Sequence, residues 1–200
     1  MTQPRTLRSM AGAPAEPARL ADATVIIIDA QNEYVTGALP LPGVEEALTE
    51  IDKLLTKARE TGAGIVHVKH VGAVGGAFDP NEPRGDFAEG AKPAPGEAIV
   101  EKGLPNAFAG TDLADKLAAA GKKKLIIAGF QTHMCISSTV RAATDAGYDS
   151  TVIASACTTR DLPSADGATA VPAKTIHDIS LASLADRFAV IAPNIDAIQP

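Results

Sequence analysis

One cysteine stands where the pattern of the sequence changes from strand to helix. The apolar run at 124–129 predicts a strand, and the residues that follow it, up to Gly147, predict a helix. With Thr132 as N-cap, Cys135 falls in the first turn of that helix. Unpaired N–H groups and a partial positive charge there favour a thiolate, so we expect a lowered thiol pKa. The same amides suit an oxyanion beside the sulfur, which makes Cys135 a candidate nucleophile.

Two charged residues elsewhere in the chain suit a cysteine nucleophile. Asp29 directly follows the β-branched run at 24–28, and a carboxylate beside an apolar wall and a thiol can act as a base. Lys102 ends an extended piece at 98–102, where its ammonium would hold the other two groups in an ion-paired state. Each residue also has an ordinary interpretation, namely a turn cap for Asp29, a surface side chain for Lys102 and a packing role for Cys135.

The elements that must position these residues alternate between strands and helices along the chain. Such alternation predicts βαβ units and a parallel sheet covered by helices on both faces. The predicted strands are 24–28, 64–70, 98–102, 124–129, 150–156 and 188–192, and the predicted helices are 43–62, 111–121, 133–147 and 173–187. Thr111 is the predicted N-cap of the second helix.

In open parallel sheets, ligands bind outside the carboxyl ends of the strands, where the strand order reverses. In the common order, this reversal lies between the first strand, 24–28, and the strand that begins the second half, 124–129. Asp29 follows one of these strands and the Cys135 turn follows the other. We therefore expect these two distant parts of the chain to face the same crevice.

Composition excludes several classes of protein. The chain has 200 residues, of which 46% are hydrophobic and 21% charged, and its net charge of −6 argues against nucleic-acid binding. No apolar segment approaches the roughly 20 residues that span a bilayer, and the N-terminus lacks a signal-peptide core. We expect a soluble, cytoplasmic protein without a membrane partner, in which Cys135 and Cys157 are both free thiols.

The chain reads as one domain with an N-terminal arm. Residues 1–22 are rich in Ala, Pro and Arg and have no period, which predicts an arm that lies on the domain or on a neighbouring subunit. Residues 23–200 form the predicted domain. Within it, the Gly/Pro-rich stretch 72–96 is long enough to be a lid over the site or half of a subunit interface.

Three separate motifs resemble the isochorismatase-like cysteine hydrolases, and the resemblance extends over about residues 22–192. The motifs are Asp29 with Gln31, Lys102 with NAFAGTDL (106–113), and GFQTHMC (129–135). The resemblance implies a Rossmann-like three-layer αβα sandwich with a six-stranded, mainly parallel sheet. It also implies that Asp29, Lys102 and Cys135 form a catalytic triad.

The resemblance further implies how the nucleophile works. Family members have a non-proline cis peptide before the nucleophile turn, which here would join Phe130 to Gln131. The backbone N–H groups of Gln131 and Cys135 would form the oxyanion hole. The Cys135 thiolate would attack an amide-type carbonyl after Asp29 takes its proton, and water would then hydrolyse the thioester. Lys102 would stabilise the charged pair throughout.

Departures from the family pattern exclude two of its chemistries. Nicotinamidases of this family carry a metal site after the second strand, but here that region reads HVKHVGAVGGAFDP. His67 and His70 are three apart on a predicted strand and point to opposite faces, so we expect no metal and no cofactor. True isochorismatases do not use a cysteine nucleophile, so Cys135 argues against their vinyl-ether reaction.

Four residues are candidate substrate contacts, although each has an alternative role in packing or capping. Tyr34 and Phe108 are suited to form an aromatic wall, and Gln31 and Asn106 to orient polar groups of the substrate. The sequence does not identify the substrate beyond a small molecule.

The sequence therefore predicts a metal-independent cysteine amidohydrolase that cleaves a small carboxamide, carbamoyl or ureido C–N bond, and that forms a homodimer or homotetramer. One alternative is a redox protein in which Cys135 and Cys157 work together, and another is a binding homologue without turnover. A mononucleotide-binding, flavodoxin-like domain is disfavoured because the first βα turn, DAQNEY, lacks glycine and carries two acids.

Overall fold

A six-stranded parallel sheet forms the centre of the molecule. The computed structural model describes residues 3–200. The strands of this sheet are β1 (Ala23–Ile28), β2 (Gly64–His70), β3 (Ala98–Lys102), β4 (Lys124–Phe130), β5 (Asp149–Thr158) and β8 (Ala189–Ala192). Two short strands, β6 (Leu162–Pro163) and β7 (Ala170–Val171), form a separate antiparallel pair.

The strand order confirms the predicted architecture. The order is β3-β2-β1-β4-β5-β8, and every neighbouring pair in it is parallel. The order reverses between β1 and β4, as expected for a doubly wound sheet. The carboxyl ends of β1 and β4 therefore border the crevice in which a ligand would bind.

Helices cover the sheet on both faces. They are α1 (Leu7–Met10), α2 (Val44–Thr61), α3 (Leu113–Ala120), α4 (Ser137–Asp145) and α5 (Ala173–Arg187), and a π-helical turn, Thr132–Ile136, precedes α4. The apolar side of α2 packs in one core with alternate β1 residues such as Val25 and Ile27. Helices α3, α4 and α5 pack in a second core with Ile26 and Ile28. Because β1 is covered on both faces, all its residues are apolar or small and all are buried.

One helix cap lies where the sequence predicts it, and two predicted N-caps do not. Gly62 closes α2 in the left-handed conformation, as its position predicts. Thr132 is not an N-cap, because the helical turn already begins at this residue and Gln131 occupies the preceding position. Thr111 lies one residue before the N-cap of α3, Asp112, although its hydroxyl accepts a hydrogen bond from the Leu113 N–H.

The N-terminal arm and the long loop after β2 both pack on the domain. In the arm, Leu20 is fully buried and Arg8 forms an ion pair with Asp149 at 3.4 Å. The long loop contains two short 3₁₀ turns, Pro83–Gly85 and Glu89–Ala91. Within the described part of the chain, no helix is both long enough and apolar enough to cross a bilayer.

Candidate active site

Three strand ends bring the predicted catalytic residues together. Asp29 directly follows β1, and its backbone N–H bonds to the Val68 carbonyl of β2 at 2.9 Å. Lys102 is the last residue of β3, and Cys135 lies in the π-helical turn after β4. All three therefore stand at the carboxyl edge of the sheet, on both sides of the point where its order reverses.

Lys102 joins the other two side chains. Its Nζ lies 2.7 Å from Asp29 Oδ2 and 3.4 Å from Cys135 Sγ. The side chains of Asp29 and Lys102 are 0% exposed, and Cys135 is 5% exposed. The Asp29 carboxylate also lies close enough to the Cys135 thiol to influence its pKa.

The pKa of Cys135 is raised, which contradicts the lowered value expected from its place in a helical turn. Burial of the thiol is the largest cause, and the nearby Asp29 carboxylate adds to it; together they raise the pKa to about 12, although Lys102 acts in the opposite direction. Burial also raises the pKa of Asp29 against the effect of Lys102. The raised pKa favours the protonated thiol of Cys135 in this environment.

The backbone before Cys135 has the form that the resemblance implies. The peptide bond between Phe130 and Gln131 is cis. Gly129 has a φ of 121°, and a Cβ atom there would lie 2.0 Å from the Ile28 carbonyl oxygen, so only glycine fits between β4 and β1. The Gln131 carbonyl accepts hydrogen bonds from the N–H groups of Met134 and Ile136. These contacts fix the turn that carries the cysteine.

A hydrogen-bonded chain of side chains supports Gln131. Thr159, after β5, donates from its hydroxyl to Gln131 Oε1 at 3.4 Å. The same hydroxyl lies 2.6 Å from His133 Nδ1. On the other side of the turn, Thr132 Oγ1 lies 2.9 Å from His177 Nδ1. The nucleophile turn is therefore tied to both β5 and α5.

Comparison with known proteins identifies the family. The model of the isochorismatase domain matches residues 23–195. The chain belongs to the isochorismatase family. A crystal structure of an isochorismatase from Pseudomonas putida KT2440 has 46% identical residues and a TM-score of 0.91, and the alignment covers 96% of this chain and 97% of that one. The predicted fold and family are both confirmed.

Two similar proteins have names that describe an activity or a role. A secreted isochorismatase effector, Isc1, of Verticillium dahliae is 35% identical, and the match covers 96% of this chain and 98% of that protein. A streptothricin hydrolase of Streptomyces noursei is 33% identical over 74% of this chain and 54% of that protein. Since the family's named relatives are hydrolases, the present chain is an isochorismatase-like hydrolase.

Gln31 is bound within the protein. Its Nε2 donates to the carbonyls of His70 at 3.0 Å and Gly85 at 2.8 Å, and its Oε1 accepts from the His70 N–H at 2.8 Å. Both amide hydrogens are used, and the side chain is fully buried. The substrate-orienting role predicted for Gln31 is therefore replaced by a structural one, in which it holds the end of β2 against the long loop.

The two predicted aromatic contacts, Tyr34 and Phe108, pack against different aromatic partners. Tyr34 does lie in an aromatic cluster, with ring centroids 5.1 Å from Phe78 and 5.8 Å from Phe130. Phe108 packs at a tilt on Tyr148, with ring centroids 6.3 Å apart. The role of Phe108 as a substrate contact stays a prediction.

Asn106 caps a local turn, which was the alternative role considered for it. Its Oδ1 accepts a hydrogen bond from the N–H of Phe108 at 2.9 Å, which is a turn-capping contact. The side chain is half-buried. The next residue, Ala107, donates its N–H to Thr139 on α4, so the segment is fixed beside the helix that follows the nucleophile. The role of Asn106 in substrate binding stays a prediction.

The two histidines of β2 do not form a metal site with each other. His67 Nε2 lies 2.8 Å from Glu97 Oε2, whereas His70 Nδ1 lies 3.2 Å from Lys102 Nζ. Across residues 3–200 no group of three or more His, Cys, Asp or Glu is arranged to hold a metal ion.

Three residues near the triad were not predicted. Phe78 belongs to the long loop, has a φ of 56° and contacts both Tyr34 and His70. Thr159 supports Gln131, and His70 contacts Lys102. His70 alone carried a usable signal, because the carboxyl ends of adjacent parallel strands lie side by side and His70 ends the strand before Lys102.

Proposed function

We propose that this protein hydrolyses a C–N bond of a small carboxamide, carbamoyl or ureido compound through a thioester on Cys135. The observation that carries the proposal is the buried contact of one ammonium, that of Lys102, with both a carboxylate and a thiol. Such a group can stabilise negative charge on either partner while a proton moves between them. The names of the hydrolases in the family support the same class of reaction.

The first half of the reaction transfers the acyl group to the enzyme. Asp29 takes the thiol proton, and the Cys135 sulfur attacks the substrate carbonyl carbon. Negative charge then develops on the carbonyl oxygen, where the N–H groups of Gln131 and Cys135 donate hydrogen bonds to it. As the C–N bond breaks, Asp29 returns its proton to the departing nitrogen, which leaves as ammonia or an amine.

The second half regenerates the free enzyme. Asp29 is again a carboxylate and takes a proton from a water molecule that attacks the thioester carbonyl. The C–S bond breaks, the product leaves as a carboxylic or carbamic acid, and the proton on Asp29 passes back to the sulfur. No oxidant, reductant or metal ion takes part. Lys102 keeps its charge beside Asp29 in both halves.

A redox function involving both cysteines is less well supported. Cys157 is buried, and burial raises its pKa to about 12. It lies on β5, and it lines a cavity of about 500 Å³ bordered by α5 residues such as Lys174 and His177, whose lining does not include Cys135. Burial raises the pKa of Cys135 in the same way, but among residues 3–200 no carboxylate or ammonium contributes to the pKa of Cys157, so this thiol has no base to take its proton. Asp29 and Lys102 would also have no task in a disulfide cycle.

The test is intact-protein mass spectrometry combined with an ammonia assay. Wild type, Cys135→Ala and the control Cys157→Ala are exposed briefly to a set of small amides, carbamoyl compounds and ureides. We expect an acyl adduct or ammonia with wild type and Cys157→Ala, and neither with Cys135→Ala, whereas a chelator should leave turnover unchanged. Ammonia release that persists in Cys135→Ala, or that depends on Cys157, would rule out the proposed nucleophile.

A further inference from the structure

The contacts of Lys102 include one that the triad does not explain. Besides Asp29 Oδ2 and Cys135 Sγ, the ammonium lies 3.2 Å from His70 Nδ1. An ammonium has three N–H donors and no acceptor, and these three groups are its three hydrogen-bond partners. Since Lys102 is fully buried, an unpaired donor would carry a desolvation cost.

The direction of this contact defines the state of His70. The ammonium can only donate, so Nδ1 of His70 must be an unprotonated acceptor and the ring must be neutral with its hydrogen on Nε2. Burial and the Lys102 charge lower the pKa of His70 to about 4, which agrees with a neutral ring at pH 7. Phe78 and Gln31, which also contact His70, carry no charge.

The position of His70 is fixed on several sides. It is the register partner of Lys102 across β2 and β3, so the two side chains start from neighbouring backbone positions. The Gln31 amide binds both its backbone N–H and its carbonyl. The ring contacts Phe78 at 4.9 Å between centroids. A group held in this way can orient another group without moving itself.

We infer that His70 is a positioning residue for the catalytic lysine. By accepting one N–H of Lys102, it sets the rotation of the ammonium so that the other two N–H groups point at the Asp29 carboxylate and the Cys135 sulfur. His70 acts through Lys102 and does not itself transfer a proton. A role in catalysis rests on the proposed function. The effect of His70 on the reactivity of the Cys135 thiol can be measured without it.

The experiment compares two substitutions of His70 in a Cys157→Ala background. His70→Asn keeps an acceptor oxygen close to the place of Nδ1, and His70→Phe keeps a ring but has no acceptor. The rate of Cys135 alkylation by iodoacetamide at pH 7 is measured by mass spectrometry, and thermal unfolding is followed for each variant. We expect the rate to fall about tenfold in His70→Phe and to stay within about threefold in His70→Asn.

Several outcomes separate this role from a structural one. Equal rates in both variants, whether normal or reduced, would overturn the inference, because packing alone does not distinguish an acceptor from a ring. If His70→Phe does not fold, His70→Leu replaces it in the same comparison. With any amide that wild type hydrolyses, kcat should fall in the variant without an acceptor while KM stays unchanged.

The inference and the proposed function can fail separately. If wild type releases no ammonia from any compound but the two His70 variants differ in alkylation as expected, the positioning role stands and the hydrolytic function fails. If wild type hydrolyses an amide and His70→Phe is alkylated at the wild-type rate, the hydrolytic function stands and the positioning role is wrong.

Discussion

At the scale of single residues, the alkylation rate of the buried Cys135 thiol should have an unusual pH dependence. With a pKa of about 12, direct ionisation to solvent would make the alkylation rate rise about tenfold for each pH unit between pH 6 and 9. Transfer of the proton to Asp29 removes this dependence, because the proton stays within the site. We therefore expect a nearly flat rate over that range, measured with iodoacetamide and mass spectrometry.

The variant Asp29→Asn tests the origin of the flat profile. An amide keeps the shape of the carboxylate but cannot accept the thiol proton, so the tenfold rise per pH unit should return. The rate at pH 7 should fall by about 100-fold or more, which is the usual contribution of a positioned base. A wild-type rate that itself rises tenfold per unit would show that Asp29 does not take the proton.

Residue types, strand ends and the family resemblance together predict that Asp29, Lys102 and Cys135 meet, but they do not predict the electrostatics of the group. Asp29, Lys102 and Cys135 each follow or end an apolar strand, so the topology brought them to one edge. The thiol pKa was predicted in the wrong direction, because burial depends on packing between elements distant in sequence. The role of Gln31 was misjudged for a similar reason, since its partner Gly85 lies far along the chain.

At the scale of elements, Glu97 joins α2, β2 and the segment before β3. Its carboxylate binds Arg59 at 2.8 and 3.0 Å, His67 at 2.8 Å and the Ala94 N–H at 2.8 Å. Partial burial acts to raise its pKa, but these contacts outweigh that effect and lower the pKa to about 2. We expect Glu97→Gln to reduce the free energy of unfolding at pH 7 by about 2 kcal/mol.

The effect of Glu97 should depend on pH in a defined window. Because its pKa is depressed in the folded state, its contribution is present above the unfolded value near 4.5 and is lost as the pH falls towards 2. Urea unfolding at pH 7 and pH 3 measures the difference between wild type and variant. Glu101→Gln, which replaces an exposed carboxylate on β3, is the control. A difference that does not shrink at pH 3 would contradict the ionic role of Glu97.

Elements with a clear period were predicted closely, and irregular segments were not. The predicted helix 43–62 contains α2 with all seven of its buried residues, and β2, β3 and α5 have their predicted bounds. The turn at Thr132–Ile136 was predicted as the start of an ordinary helix, because a π-helical turn has no distinct sequence signal. The long loop after β2 has no period, so its contacts with Gln31 were not foreseen.

At the scale of the whole molecule, the arm and the site lie at opposite edges of the sheet. Arg8 pairs with Asp149, the first residue of β5, whereas the proposed catalytic residues stand at the carboxyl ends of the strands. Further along the arm, the Ala18 N–H bonds to Thr151 of the same strand at 2.9 Å. The arm therefore supports the start of β5 without reaching the nucleophile.

Removal of residues 1–14 tests this separation. The truncated protein should lose about 2 kcal/mol of unfolding free energy, because the buried part of Arg8 and the packing of the arm are lost while Ala18 and Leu20 stay in the core. Cys135 alkylation at pH 7 should stay within about twofold of wild type, because the contacts of Lys102 are unchanged. A tenfold loss of alkylation at a temperature where the truncated protein is folded would mean that the arm acts on the site, through this chain or through a neighbouring copy.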